Sequence, residues 1–233
     1  MKGIKIAILA GGLATRLRPI TEKIPKSLID INGKPFLWHQ IKLLKKQGID
    51  HLVICTGYLG ELIEEYFGSG KDFGVNIEYS HDGKTLLGTG GALKKALPLL
   101  GDEFFVMYGD SYLEADYREI YSFYENNKEN RSGLMTVYKN KDAFDKSNVV
   151  FKNKEIVVYD KKNKHEEMLY IDWGLGIFNK AAFEKFSQQD TFDLAELYRD
   201  LVQKKALLGY EVKNRFFEIG SVSGIEELRE KLR

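Results

Sequence analysis

Apolar residues in this chain fall into short unbroken runs that alternate with stretches of helical spacing. Residues 4–10 form the first run, which stops at Gly11-Gly12 and reads as a buried strand. Residues 34–48 place Phe36, Leu37, Ile41 and Leu44 on one helical face and end in Gly48. The same reading predicts strands over 51–56, 75–80 and 104–108, with helices over 60–67 and within 89–100. Strands alternating with helices imply βαβ units, hence a mostly parallel, Rossmann-like sheet with helices on both faces.

Further along the pattern changes. Residues 133–138 and 147–159 read as strands, with Asn153-Lys154 as a hairpin turn inside the second stretch. Residues 173–179 read as another strand, and 181–186, 193–205 and 224–233 as helices. No Pro/Gly/Ser-rich linker, low-complexity tract or internal repeat breaks the sequence. The expectation is one α/β domain over residues 1–233, with a mixed β insert in its second half.

Composition narrows the partners. The chain has 35 Lys plus Arg against 34 Asp plus Glu, so bulk charge does not point to nucleic acid or an anionic membrane. The one cysteine, Cys55, excludes an intrachain disulfide and a four-Cys zinc site, and its apolar run makes it a buried strand residue. The opening Met1-Lys2-Gly3-Ile4-Lys5 is followed by too short an apolar run for a leader. No run approaches the ~20 residues of a membrane span. A cytoplasmic protein is expected.

Candidate chemistry concentrates in Leu9-Ala10-Gly11-Gly12-Leu13-Ala14-Thr15-Arg16-Leu17-Arg18-Pro19, followed by Pro25-Lys26-Ser27-Leu28. This loop leaves the carboxyl end of a buried strand, where open α/β sheets bind ligands. Paired glycines let backbone N–H groups approach phosphate closely. Arg16 and Arg18 offer planar forks to phosphate oxygens, and Lys26 adds a point charge. The loop is neither a P-loop nor a G-x-G-x-x-G fingerprint.

These residues resemble the signature of the sugar-1-phosphate nucleotidylyltransferases: a strand, G-G-x-[GA]-T-R-L-x-P-x-T, then P-K-x-[LM]. Ala14 stands where glycine is commoner. The resemblance implies a glycosyltransferase-A-like fold, with residues 1–115 as the nucleotide-binding half and 116–233 as the acceptor-binding half. It implies that Ala10, Gly11 and Gly12 cradle the nucleotide. Gly88 and Thr89, in Leu87-Gly88-Thr89-Gly90-Gly91, would contact base and ribose. Val106-Met107-Tyr108-Gly109-Asp110 resembles the family's x-x-G-D, which makes Asp110 a Mg²⁺ ligand. Phe216-Phe217-Glu218-Ile219-Gly220-Ser221 resembles [FW]-x-D-[IV]-G-[ST], with Glu218 where the family has the second metal carboxylate.

The acceptor side matches less well. Val157-Val158-Tyr159-Asp160-Lys161-Lys162-Asn163 stands for a hairpin ending F-x-E-K-P, with Asp for Glu and no Pro, and Ile171-Asp172-Trp173-Gly174-Leu175-Gly176-Ile177-Phe178 for N-x-G-[IL]-Y-x-F, with Asp172 for Asn and Gly176 for the aromatic. Lys161 is the candidate for the acceptor phosphate, with Lys162 the alternative. Asp160, Asp172 and Gly174 complete the candidate acceptor pocket, where the carboxylates would accept from sugar hydroxyls.

The implied reaction joins an NTP to a sugar 1-phosphate and releases pyrophosphate, with Arg16, Lys26 and Asp110 as the catalytic set and Mg²⁺ as cofactor. The second loop looks most like that of heptose-1-phosphate guanylyltransferases, which favours GTP. Features at residues 73–79 and 97–101 also look like muramate-type uridylyltransferases, so a uridylyl- or cytidylyltransferase is the alternative. A non-catalytic nucleotide-sugar binding module is the rival from another class. An oligomer is compatible with the sequence, which does not specify one.

Overall fold

A computed structural model describes residues 3–233; Met1 and Lys2, where the segment weighed as a leader begins, lie outside the described residues. The chain runs β1 (Lys5–Leu9), a short hairpin of β2 (Asp30–Ile31) and β3 (Lys34–Pro35), then α1 (Phe36–Lys46) and β4 (His51–Thr56). It continues through α2 (Gly60–Phe67), β5 (Asn76–His81), α3 (Gly88–Ala96), β6 (Glu103–Tyr108) and β7 (Ser111–Tyr112). The second half holds α4 (Tyr117–Asn127), β8 (Gly133–Tyr138), β9 (Val149–Lys152), β10 (Glu155–Tyr159) and β11 (Ile171–Asn179). Last come α5 (Leu194–Gln203), β12 (Leu207–Val212), β13 (Phe217–Glu218) and α6 (Val222–Lys231).

Nine strands form one sheet in the order β5-β4-β1-β6-β11-β8-β12-β10-β9. The β5, β4, β1 and β6 block is parallel throughout. From β6 onward the sheet is mixed: β11 runs antiparallel to both β6 and β8, and β12 parallel to β8. Strands from both halves therefore share one sheet. Side chains alternate across a strand, so β1 feeds two cores. Ile6 and Ile8 pack on the face covered by α1, α2 and α4, and Ala7 on the face covered by α3 and α5. A third cluster, with Leu17, Ile29, Phe36, Tyr112, Ile219 and Leu228, lies beneath the loop after β1. That cluster fixes the loop after β1 to α1 and α6.

The first-half strands and helices lie where the periodicity puts them. The 153–154 turn is a hairpin turn with both residues at positive φ, 51° and 65°. Besides the two-residue strands β2, β3, β7 and β13, two longer elements have no counterpart in the sequence reading. α4 buries mostly aromatic residues, weak helix formers, but Asp116 caps it by accepting from the backbone N–H of Arg118 and Glu119 at 2.9 and 3.1 Å. β12 carries Gly209 in its middle, which weakens a strand pattern. A Cβ at Gly209 would stand 2.6 Å from the Phe151 ring, so packing selects the glycine. The stretch expected as a helix over 181–186 is a 3₁₀ helix over Lys180–Phe186.

Candidate active site

The carboxyl ends of β1, β4 and β6 converge on the loop after β1. Ala10 N–H donates to Cys55 C=O at 2.8 Å, and Gly109 N–H donates to Leu9 C=O at 3.0 Å. The two glycines of the loop do different work. A Cβ on Gly11 would sit 3.0 Å from Gly57 N, so Gly11 allows two backbones to touch. A Cβ on Gly12 would meet nothing within 4 Å, so its backbone faces open space. Ala14 adopts φ 48° and ψ 42°, the left-handed conformation that explains glycine's frequency at this place in the signature. Buried Thr21 holds that turn by donating from Oγ1 to Ala14 C=O at 2.8 Å. Thr21→Val keeps the shape and loses the donor. It is expected to lower the unfolding free energy by about 1 kcal/mol, measured by urea denaturation.

A cavity of about 240 Å³ opens beside this loop, lined by Ala10, Gly11, Gly12, Lys26, Gly88, Thr89 and Asp110 among others. Lys26 Nζ lies 3.0 Å from Asp110 Oδ2, and Ser111 Oγ donates to Asp110 Oδ1 at 3.2 Å. Glu218 pairs with Ser111 across the β7–β13 ladder, and Ile219 N–H donates to Asp110 C=O at 3.0 Å. The motifs separate the two carboxylates by half the chain, and the β7–β13 pairing brings the turn carrying Asp110 beside the strand carrying Glu218. Glu218 folds back on its own turn, with Oε2 accepting from Gly220 N–H at 2.6 Å. A Cβ on Gly220 would lie 2.2 Å from that oxygen and 3.1 Å from an Arg16 guanidinium nitrogen. The glycine therefore makes room for the longer side chain, beside Arg16.

A second cleft, of about 990 Å³, adjoins the first, and both are lined by Tyr108 and Asp110. Arg16, Lys161, Lys162, Asp172, Gly174 and Glu218 face it. Asp160 also lines it, but its oxygens are engaged by the N–H groups of Lys162 and Asn163 and by the Asn163 side chain. Those donors hold its carboxyl at about 2. Asp160 thus builds the turn that presents Lys161, rather than standing free for a hydroxyl. Asp172 Oδ2 accepts from the Tyr108 and Tyr159 hydroxyls, each at 3.3 Å, and Oδ1 from Gly174 N–H at 3.1 Å. Burial pushes its carboxyl up, and nearby Lys161 opposes the shift. Lys161 Nζ is 3.3 Å from the Tyr108 hydroxyl, 5.1 Å from the centre of its ring and 5.8 Å from that of Tyr159. At Gly176, a Cβ would be 2.5 Å from the Tyr198 hydroxyl, so Tyr198 of α5 occupies the space of the missing aromatic.

The second glycine loop is shaped by its neighbour. Gly88 has φ 72°, and Cβ atoms on Gly88, Gly90 and Gly91 would strike Phe192 or Asp190 at 2.2–2.6 Å. Thr89 Oγ1 accepts from Leu194 N–H at 2.9 Å, which leaves its own proton to donate into the cavity. One lining residue went unread in the sequence. Asp82 follows β5 and accepts from Leu87 N–H at 3.1 Å through Oδ2. Its Oδ1 is buried with no partner among the described residues. Burial pushes this carboxyl up against the opposing Leu87 N–H and Lys95. The signal was available: a carboxylate at the end of a parallel strand is what marks Asp110. Cys55 also lines the cavity, its thiol pushed up to about 12 by burial, as an unreactive wall.

No helix among the described residues is long and apolar enough to cross a membrane. The chain is 32% identical over 216 residues to D-glycero-alpha-D-manno-heptose 1-phosphate guanylyltransferase of Campylobacter jejuni, covering 91% of this chain and 93% of that protein. It is 35% identical over 217 residues to the enzyme of the same name from Aneurinibacillus thermoaerophilus, covering 91% of each. Its fold matches HddC from Yersinia pseudotuberculosis, solved in complex with GMP-PN, with TM-score 0.82 and 24% identity over 99% of this chain and 100% of that one. The model of the nucleotidyl transferase family matches residues 5–233, and with a site assembled from both halves of that span, the chain belongs to this family.

Proposed function

We propose that the protein transfers a guanylyl group from GTP to a sugar 1-phosphate, releasing pyrophosphate. The observation that carries this reading is Asp110, paired with Lys26 at 3.0 Å in the wall common to the two cavities. A group there meets both substrates at their point of joining. In the reaction an oxygen of the acceptor phosphate attacks the α-phosphorus. A new P–O bond forms, the bond to the β-phosphate oxygen breaks, and pyrophosphate leaves with the electron pair. A phosphate monoester is already an anionic nucleophile, so positioning and charge neutralisation do the catalytic work.

Lys26 and Arg16 hold the triphosphate, and Lys161 holds the acceptor phosphate. Asp110, in the turn before β7, and Glu218, on β13, are hard oxygen donors, a set that fits Mg²⁺. When bound, the ion supplies neutralisation of phosphate charge.

Asp82 supports guanine as the base. Asp82 lines the cavity, and its carboxylate, with one oxygen on Leu87 N–H and the other unpartnered, is the group we assign to the adjacent N–H and NH₂ donors of guanine, whereas uracil sets carbonyl oxygens beside its one N–H. The heptose 1-phosphate guanylyltransferases that the chain resembles point the same way. Asp82→Asn keeps one oxygen for Leu87 N–H and puts an amide where the free oxygen was. It is expected to lower kcat/KM for GTP about tenfold while sparing UTP. The parent test measures pyrophosphate release from each of the four NTPs with a panel of sugar phosphates, with and without Mg²⁺. Acceptor-dependent release with GTP fits the proposal. Release with UTP or CTP alone would reassign the base, and binding without release would favour a sensor module.

A further inference from the structure

The turn carrying Asp110 is held from behind by a residue that no motif marks. Gln40, on α1, is fully buried. Its Nε2 donates to Tyr108 C=O at 3.2 Å and to Ser111 C=O at 2.8 Å. These carbonyls flank Gly109-Asp110, the two residues joining β6 to β7. Both amide protons are thereby used, one on each carbonyl. The opposite amide orientation would set oxygen against two oxygens, so the network fixes the assignment.

Gln40 Oε1 is left buried with no partner among the described residues. An apolar side chain of similar length would fill the space without that desolvation cost. What the amide adds is the pair of donors. From the other side, Ile219 N–H binds Asp110 C=O. Three carbonyls in four consecutive residues are thus pinned, and the Asp110 side chain projects from a fixed base. The same helix reaches the segment after Lys26: Phe36 N–H donates to Ile29 C=O, and His39 Nε2 to Ile31 C=O, both at 2.9 Å. α1 therefore spans the two residues whose side chains meet at 3.0 Å.

We propose that Gln40 is a positioning residue for Asp110, acting through the two backbone carbonyls and touching no substrate. The inference rests on the reading of Asp110 as a metal carboxylate. The probe is Mn²⁺ alone, followed by loss of its free-ion EPR signal, on the wild-type chain and on Gln40→Met, Asp110→Asn and Leu44→Ala. Leu44 is a buried neighbour on α1, so its truncation loosens the helix without removing the amide.

Gln40→Met is expected to weaken Mn²⁺ binding about tenfold, as loss of an outer-shell partner does, and to lower kcat with KM for the sugar phosphate unchanged. Leu44→Ala is expected to melt earlier with Mn²⁺ affinity retained. Unchanged Mn²⁺ affinity in Gln40→Met, with Asp110→Asn defective, overturns the positioning role alone. Equal weakening in Leu44→Ala overturns it too, by showing general loosening. Normal binding in Asp110→Asn overturns the metal reading, and the inference with it.

Discussion

Asp110→Asn is expected to lower turnover by about a thousandfold while leaving the fold intact. The substitution is isosteric, and Ser111 Oγ retains an oxygen to which it can donate. The backbone stays pinned by Ile219 and Gln40. What disappears is the carboxylate at the junction of the two cavities, which under the proposed reaction each take a phosphate. Without it Lys26 loses its carboxylate partner, and the donor set for a divalent ion falls to Glu218 alone. The Asp110 side chain is 32% exposed, so the lost pair is worth at most ~1 kcal/mol of stability. A thermal melt should therefore move little. Initial rates of pyrophosphate release, taken across an Mg²⁺ titration, are the check. Turnover above a tenth of wild type at saturating Mg²⁺ would remove Asp110 from the catalytic set. A matched loss of folded protein would make the effect structural.

The nucleotide half was legible because local residues determine it. A buried run stopped by Gly11-Gly12, and Gly-Asp at the end of β6, place groups at strand ends whatever happens elsewhere. Even there the reasons differ from those a motif suggests. Gly11 is fixed by Gly57, and Gly88, Gly90 and Gly91 by residues 190–193. Asp82 was readable as a strand-end carboxylate but not as half-unpartnered, and Gln40 was not legible at all. Each matters through a buried atom whose partner, or lack of one, depends on the packed structure. On the acceptor side, Gly176 of β11 is fixed by Tyr198 of α5. Residues so far apart in the chain give no local signal that they share a volume. Asp160 and Asp172 were readable as acidic but not as already engaged, because engagement is a matter of donors contributed by a turn and by two tyrosines.

That engagement separates Lys161 from Lys162. Lys161 Nζ lies 3.3 Å from the Tyr108 hydroxyl, and Tyr108 lines both cavities. Its ammonium therefore stands next to the junction, over two aromatic rings and near the buried carboxylate of Asp172. Lys162 faces the same cleft and is exposed like Lys161, but its backbone N–H serves the Asp160 turn rather than the junction. Lys161→Ala should remove a charge-assisted contact to the acceptor phosphate, lowering kcat/KM for the sugar phosphate about a hundredfold with KM for the NTP unchanged. Lys162→Ala should change either constant by less than about threefold, the scale of an exposed charge. Lys161→Arg keeps the charge but not the compact ammonium, and is expected to recover part of the loss. Steady-state rates with each substrate varied at saturating levels of the other distinguish these outcomes. A reversed order, with Lys162→Ala the more damaging, would reassign the acceptor phosphate to Lys162. A rise confined to the KM of the NTP would place Lys161 on the triphosphate instead.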